Sequence, residues 1–469
     1  MEDKKSMRIR TAYTVDLTTQ ITLDSNHQVV QVKGIDRKLM EHTNAVCLDA
    51  LKYCVSIFLS EWDMLSKVPT TAKKGGTSRK READRLIHTG RENIAKYPEF
   101  DRRFPYMPAY TRRAVIADAL GMVSSYLSNH KNWEEEDPLI RGKEPTMGFP
   151  SRYELTFYEQ ERDMELLNQG IIGLKLFDGT SWGWHQFRIH PSEARYLHSL
   201  CKTRKMLSPT VELVRGKYQL RFCFEERKEL VDPDPLNHRI LTIDLGINAA
   251  ASWCVMSPDG TVHARGVIHL SCEEDRLRRL MNRKRQYQQA GKKVRSIYRM
   301  ITAANRKFSI ETTRKLMEIA VLYDVDCLVF EHLDRNGKKH GRYAERIHMW
   351  RARDVQKRLE LQAHRQGMRI SRVCAWGTSR YAYDGSGVTD RRSVYHWEHG
   401  QKRYHYSIAT FLTEKQYNCD LSASYNIGAR YFLRAYQKQG LLIEEKTPQR
   451  TLRTLWSLME RYNGSRMAA

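Results

Sequence analysis

Asp244, Glu331 and Asp420 are the residues of this chain best suited to do chemistry. Each stands at the end of an apolar segment: "RILTIDLGIN", "VDCLVFEHLD" and "YNCDLSASYNIGARYF". The rest of the chain is strongly basic, with 79 Lys and Arg against 55 Asp and Glu and a formal net charge of +24. A carboxylate among Ile and Leu is costly unless something compensates it. Hydrolysis of a phosphodiester at neutral pH needs a nucleophile made from water and a stabiliser for the leaving oxyanion. Two divalent ions about 3.5–4 Å apart supply both. Mg²⁺, with Mn²⁺ as its alternative, takes oxygen ligands and keeps waters, so a few carboxylates suffice. The expected site is therefore Asp244, Glu331 and Asp420 holding two such ions against a nucleic-acid phosphate. Each acid also has a plainer reading: Asp244 closes a strand beside Gly246, Glu331 meets solvent at a strand end, and Asp420 caps a helix. Asp324, Asp326, Asp384 and Asp390 read as caps or turn residues.

Residues so distant in sequence share a site only if the elements between them bring them together. "RILTIDLGI" is apolar on both faces, as a central strand is. "AAASWCVMSPDG" and "TVHARGVIHL" flank Asp259-Gly260, a good hairpin turn. Three antiparallel strands, the first bearing an acid, open a ribonuclease H-like fold. "IETTRKLMEIAVLYDVD" reads as a helix feeding the strand "CLVFE", which ends at Glu331. "RIHMWRARDVQKRLELQAHRQGM" reads as a further helix and "RISRVCAW" as a strand. After an irregular stretch a last helix starts near Asp420, with Ala423, Ile427, Ala429 and Phe432 inward. In such a fold the strands of Asp244 and Glu331 are neighbours, and the helix of Asp420 packs across them.

Between the first acid and the second lies a basic segment. Ser271 begins a helix with Glu274 three residues on, a capping-box pattern. From Arg276 to Arg306 there are eleven Lys or Arg residues and no acid, in what reads as a helical hairpin turning at "QAGKK". Solvated helix faces usually mix signs to gain i,i+4 pairs; this one does not. Arg276, Arg279, Arg283, Lys284, Arg285, Lys292, Lys293, Arg295 and Arg299 are therefore expected to contact phosphates. Neutralising about six to ten phosphates makes binding fall steeply with salt. A second basic set, Lys73, Lys74, Arg79, Lys80 and Arg81, lies in "TTAKKGGTSRKREADR", read as a loop leading into a helix.

A chain of 469 residues is too long for one compact domain. The first 35 residues alternate as strands do. Residues 36–148 read as a helical module, with Cys47, Leu51, Cys54, Phe58 and Trp62 on one face and a second helix from about Thr111 to His130. Strand patterns return over 149–230. Their expected pairing with the N-terminal strands makes the helical module an insertion into a β-barrel-like unit. Residues 231–236 read as a linker, 237–376 as the acid-bearing α/β domain with its basic hairpin over 271–320, 377–418 as an insert, and 419–469 as the end of that domain. A pI near 9.6 is the footprint of a nucleic-acid binder. Nine scattered cysteines and no C-x-x-C pair read as reduced and largely buried. No apolar run approaches the ~18 residues of a membrane span, and the N-terminus lacks the apolar core of a signal peptide. The expectation is a cytoplasmic, prokaryotic protein with no membrane partner, its oligomeric state open and a monomer favoured.

"TIDLGIN", "VFEHLD" and "CDLSASYNIGARYF" resemble the three RuvC motifs of the transposon-encoded TnpB family and of compact type V CRISPR effectors. Asp420, Ala423 and Asn426 match the last pattern, D-x-N-A-x-x-N, and "GTSR" at Gly377 to Arg380 looks like the family's T-S-x segment. The resemblance covers roughly residues 237–435. It implies guide-RNA-directed cleavage of double-stranded DNA beside a short flanking motif, by one Mg²⁺-dependent RuvC site, in a protein that reads the shape and backbone of an RNA–DNA heteroduplex. It also implies that the N-terminal β unit and its helical insertion are wedge and recognition domains, and that residues 377–418 are a target-strand loading insert. The chain departs from the family in two places. The two C-x-x-C pairs of the usual zinc ribbon are missing, so zinc is not carried over. Cys374, His396, His399 and Cys419 are the residues left for a makeshift site, and an aromatic mini-core of Tyr383, Tyr395, Trp397, Tyr404 and Phe411 is the expected replacement. Ser422 stands where the family usually has Asn. Two other readings compete: a nuclease-silent RNA-guided DNA-binding protein, and a DDE-type strand transferase, whose triad typically ends in Glu rather than Asp.

Overall fold

The computed structural model describes residues 5–71, 77–91, 93–138, 141–246, 249–333, 352–399, 401–405, 407–440 and 450–467. They divide into two compact units, one of residues 10–226 and one of residues 1–9 with 227–469. Lys73 and Lys74, and the start of the helix expected over "RIHMWRARDVQ", lie outside the described residues.

In the unit of residues 10–226 early strands pair with late ones. Thr19–Leu23 runs antiparallel to Trp182–Arg188, and Ser6–Asp16 lies beside Lys217–Glu229. Between them in the chain come the long helices Arg37–Ser60 and Ala109–Glu135. The first begins where the Asp36 carboxylate accepts the Lys38 N–H at 3.0 Å, a side-chain cap for a donor with no partner in the helix. Cys47, Leu51, Cys54 and Phe58 are buried on its inner face. Trp62 does not continue that face: the helix stops at Ser60 and Trp62 opens a separate short helix, Trp62–Lys67. Val115, Ile116, Ala119, Leu120 and Val123 of the second long helix share a core with strand residues such as Leu176, Phe187 and Phe222.

The other unit contains a five-stranded sheet built from β1 (Ile240–Asp244), β2 (Ala251–Met256), β3 (Val262–Ile268), β4 (Cys327–His332) and β5 (Arg369–Cys374), in the order β3-β2-β1-β4-β5. β1 is antiparallel to β2 and parallel to β4, and β4 is parallel to β5. The helices α1 (Ser271–Gln289), α2 (Arg295–Leu322), α3 (Ala352–Arg365), α4 (Cys419–Lys438) and α5 (Leu452–Met467) complete it. Ile240, Leu241, Thr242 and Ile243 are all fully buried, because β1 is central and covered on both faces. Side chains alternate across a strand. Leu241, Ile243, Leu328 and Phe330 therefore join α2 and α3 in one core, while Ile240, Cys327 and Val329 join α4 and α5 in another.

The helical hairpin forms as the sequence predicts, with its turn between Gln289 and Arg295. Its helices carry a small core of their own, Leu280, Ile297, Ile301 and Ala304. The expected capping box does not form. Leu270 is the N-cap and offers no side-chain acceptor; only the return half is made, with the Glu274 carboxylate accepting the Leu270 N–H at 3.4 Å.

Gly428 is where α4 meets the sheet. A Cβ there would lie 2.8 Å from Cγ2 of Thr242 and 2.9 Å from Sδ of Met256. Both neighbours are fully buried, and Thr242 is branched and has no room to turn away. In a free helix Gly→Ala gains about 1 kcal/mol, but overpacking a tight core costs about 1–3 kcal/mol, so the close contact decides the sign. Gly428→Ala is expected to lower the melting temperature of this unit. A rise in a thermal-shift measurement would show that α4 is not held this close.

Candidate active site

The register of two strands brings the first two acids together. Ile243 of β1 lies opposite Phe330 of β4 in a parallel pair, so Asp244 and Glu331 follow side by side at the C-terminal strand ends. Ile243 and Phe330 face α2 and α3; by alternation Asp244 and Glu331 face the other way, toward α4. Asp420 is in the first turn of α4. It is not the cap. The side-chain oxygen of Asn418 accepts the N–H groups of Asp420 and Leu421, both at 3.0 Å. Because Asn418 takes that role, the Asp420 carboxylate is not spent on it; the Cys419 thiol lies 3.5 Å from it.

All three acids keep some exposed surface, yet they stand in one another's field. The Asp244 carboxyl is pushed well above the ordinary carboxylate range, first by burial and then by the charges of Glu331 and Asp420, with Arg391 opposing. Glu331 is also raised, by burial, against the donated Thr378 hydroxyl and the Arg430 guanidinium. Among the described residues no three His, Cys, Asp or Glu side chains converge on a single ion-binding point. The carboxylates share a field rather than one coordination sphere. That arrangement fits oxygen-seeking divalent ions, which need only one or two carboxylates each beside waters and phosphate oxygens. Mutual repulsion in a desolvated site is what added positive charge relieves.

A shell of polar residues fixes the acids. The Thr378 hydroxyl donates to Oε1 of Glu331, and Nε2 of Gln356 donates to the Glu331 carbonyl at 3.0 Å. Nδ2 of Asn426, fully buried on α4, donates to the carbonyls of Thr378 and Tyr381 at 2.9 Å each. Its oxygen accepts the Leu452 N–H at 3.3 Å. Ser422 accepts the Tyr383 N–H at 3.1 Å, so its hydroxyl also has a partner in this segment. Arg430 holds the carbonyls of Cys374 and Trp376 at 2.7 and 2.8 Å. The "GTSR" segment is thus tied to α4 and to Glu331 at once. Sequence reasoning missed Arg391. It donates to the Ser379 carbonyl at 2.9 Å and acts on Asp244 through space. Only its position in a basic insert could have hinted at it.

The basic residues separate into two kinds. Arg276, Arg279, Arg283, Arg285, Lys292, Lys293, Arg295 and Arg299 are exposed on the hairpin. Lys284 is not: it is buried with its ammonium 5.6 Å from the Tyr298 ring centroid, and burial lowers its pKa. It belongs to the hairpin's packing. Lys80 and Arg81 are exposed. Arg79 is committed to structure, donating to the carbonyls of Leu65 at 2.8 Å and Ser66 at 2.9 Å, where it satisfies a helix C-terminus.

Within the insert, where Tyr395–Glu398 and Gln401–Tyr404 form a β-ribbon that pairs His396 with Arg403, His396 lies 3.0 Å from His405, the residue just after that ribbon. Cys374 is exposed at the end of β5, Cys419 is buried at the start of α4, and His399 sits in a turn at φ 46°. The expected aromatic mini-core forms in part: Tyr383 packs against Phe411, Tyr417 and Tyr425. Tyr395 and Trp397 are outside it, on the exposed ribbon. Among the described residues no second layer lies over their strands. Asp384 and Asp390 serve turns, accepting the N–H groups of Ser386 and Arg392.

A family model described as the Aq_aa04 family matches residues 24–178. No curated protein matches the chain. Among solved structures, the chain is similar to the mini-RNA-guided endonuclease CRISPR-Cas_phi3, with a TM-score of 0.53 and 10% identity over 91% of this chain and 92% of that one. It is also similar to the protein of the Cas12f1–sgRNA–target DNA complex, with a TM-score of 0.47 and 11% identity over 97% and 99% of the two chains. At this identity the first likeness is one of fold: a mixed α/β architecture with several sheets. Among the described residues no helix is long and apolar enough to cross a membrane.

Repulsion among the three acids has a measurable sign. In the absence of divalent ions Asp244→Asn is expected to raise the melting temperature by about 2–4 °C, since roughly 1 kcal/mol moves a domain of this size by that much. Mn²⁺ or Mg²⁺ is expected to stabilise the wild type and not the variant. Equal stabilisation of both by the ion would remove Asp244 from the site.

Proposed function

We propose that this chain is an RNA-guided DNA endonuclease with one nuclease site, formed by Asp244, Glu331 and Asp420 in a ribonuclease H-like RuvC domain. The observation that carries the proposal is the meeting of three carboxylates, from two parallel strand ends and a helix start, in a chain of net charge +24. The strand order, antiparallel through β3-β2-β1 and parallel through β1-β4-β5, supports the ribonuclease H-like reading. The fold likeness to a protein described as a mini-RNA-guided endonuclease supports the same reading.

In this reading a guide RNA supplies sequence specificity by base pairing, while the protein recognises heteroduplex shape, backbone and a short flanking motif. Bound Mg²⁺ supplies an activated water and charge to stabilise the leaving oxygen. The chain's own residues do the rest. Asp244, Glu331 and Asp420 hold the ions; Thr378 and Arg430 orient Glu331; Arg391 offers a cation to the phosphate beside Asp244. The exposed cations of α1 and α2, with Lys80 and Arg81, follow the nucleic-acid backbone. The unit of residues 10–226 acts as a wedge with a helical recognition insertion, and residues 377–418 lead the cut strand to the site.

RNA is expected to co-purify with the full chain expressed together with its neighbouring genomic sequence. The complex is expected to cut DNA matching that RNA in Mg²⁺. Asp244→Ala should abolish cutting and leave guided binding intact. A protein that purifies free of RNA and cuts DNA unaided would falsify the proposal. The hairpin is tested separately. Replacing Arg276, Arg279, Lys292 and Lys293 should reduce the slope of log affinity against log salt by about 0.7–0.9 for each phosphate no longer neutralised. Lys284→Ala should leave that slope unchanged and lower thermal stability. An unchanged slope in the fourfold variant returns the hairpin to ordinary surface.

A further inference from the structure

Ser252 lies directly opposite Asp244 in the antiparallel pairing of β2 with β1. It is 1% exposed, and its hydroxyl has no hydrogen-bond partner among the described residues. A buried hydroxyl left without a partner is costly. Small size does not call for one: Ala249, Ala250 and Ala251 precede it, and alanine fills the same space without that cost. The neighbouring pairs on this face show what the hydroxyl stands beside. Thr242 and Cys254 are the next pair, and Oγ1 of Thr242 lies 2.9 Å from Sγ of Cys254, so facing side chains here are within bonding reach. α4 runs alongside β2. Gly428 lies against Met256, and Ser424 shares a hydrogen bond with the Cys254 thiol. From Met256 through Cys254 to Ser252 is four strand residues, about 13 Å. From Gly428 through Ser424 to Asp420 is eight residues along one helix face, about 12 Å. The third rung therefore sets Ser252 beside Asp420 as well as Asp244.

We propose that Ser252 is a positioning residue of this site: its hydroxyl donates to the Asp244 carboxylate when the acids hold a divalent ion. Directly opposed residues of an antiparallel pair have their Cβ atoms about 4.5–5.5 Å apart, so Asp244 is the nearer acceptor. A carboxylate has two oxygens; one serves the ion and the other accepts from Ser252. The bond stops the carboxylate from rotating and so fixes the oxygen that meets the ion. Partners behind a metal ligand change metal affinity by about 10–100-fold. Glu331 has such a donor in the Thr378 hydroxyl, and Ser252 gives Asp244 the equivalent. The inference rests on the reading of the three acids as an ion site and adds the residue that orients one of them.

Mn²⁺ titrated into the full chain, with the free ion read by electron paramagnetic resonance, tests this. Asp244→Asn, prepared alike, gives the baseline for ions held elsewhere, including on any nucleic acid carried along. Ser252→Ala is expected to weaken the Asp244-dependent binding by about 10-fold. Ser252→Cys, similar in size but a weak donor, should weaken it as much. In EDTA the melting temperature of Ser252→Ala should equal that of the wild type or exceed it, because no hydrogen bond is lost; a merely structural hydroxyl predicts a fall. Unchanged Mn²⁺ affinity in Ser252→Ala overturns the inference. So does wild-type affinity in Ser252→Cys, or a lower melting temperature of Ser252→Ala in EDTA. If Asp244→Asn loses Mn²⁺ while Ser252→Ala keeps it, only this inference fails. If Asp244→Asn binds Mn²⁺ as the wild type does, the carboxylate site falls and this inference with it.

Discussion

The close approach of α4 to the central strands is the contact on which the rest of this unit depends. Gly428 lets the helix lie against Thr242 and Met256, and the same helix carries Asp420 in its first turn. Two further residues of α4, Ser422 and Asn426, hold the segment from Thr378 to Tyr383, and Thr378 in turn holds Glu331. One helix thus sets the distance of Asp420 from the sheet and the orientation of the acid beside it. A fully buried amide is an effective brace here, because each of its polar atoms has a partner and none is left desolvated.

Electrostatics then divides the unit. Three carboxylates, at the C-terminal ends of two inner strands and the start of α4, stand in one field in which Glu331 and Asp420 oppose the charge of Asp244, while the exposed cations are carried on a helical hairpin with its own small core. Only the C-terminal part of α2 enters the main core, through Leu316, Met317 and Ala320; the stretch from Arg276 to Arg306 packs on its own cluster and its surface is free to be basic. Such a field favours anions in general, and the crowded acids are an exception inside it. Arg391 and Arg430 adjoin the acids and temper their charge, Arg391 at Asp244 and Arg430 at Glu331. They do so from positions anchored on backbone carbonyls, Arg391 on Ser379 and Arg430 on Cys374.

Much of this was legible residue by residue. The apolar run "ILTI" announced a covered strand, the change of period after residue 35 announced helices, and "QAGKK" announced the turn of the basic hairpin. The errors share a cause. Lys284 and Arg79 look in sequence like their exposed neighbours; only packing against Tyr298 and the carbonyls of Leu65 and Ser66 shows that they are structural. For Asp420 the cap was the plainer of two readings, and Asn418 two residues earlier takes that position. The aromatic residues of the insert looked like one cluster, and the chain divides them between a packed group around Tyr383 and an exposed ribbon.

The elements, the basic character of the chain and the candidacy of Asp244, Glu331 and Asp420 are written in the linear pattern, because hydrophobic period and charge are local properties. Which of those residues meet is a matter of folding. The register of β1 against β4, the depth to which Gly428 lets α4 settle, and the arrival of Thr378 and Arg391 from a segment with no regular pattern are all non-local. No spacing along the chain encodes a hydrogen bond between residues 47 positions apart; it exists because folding brought both ends of it to one place.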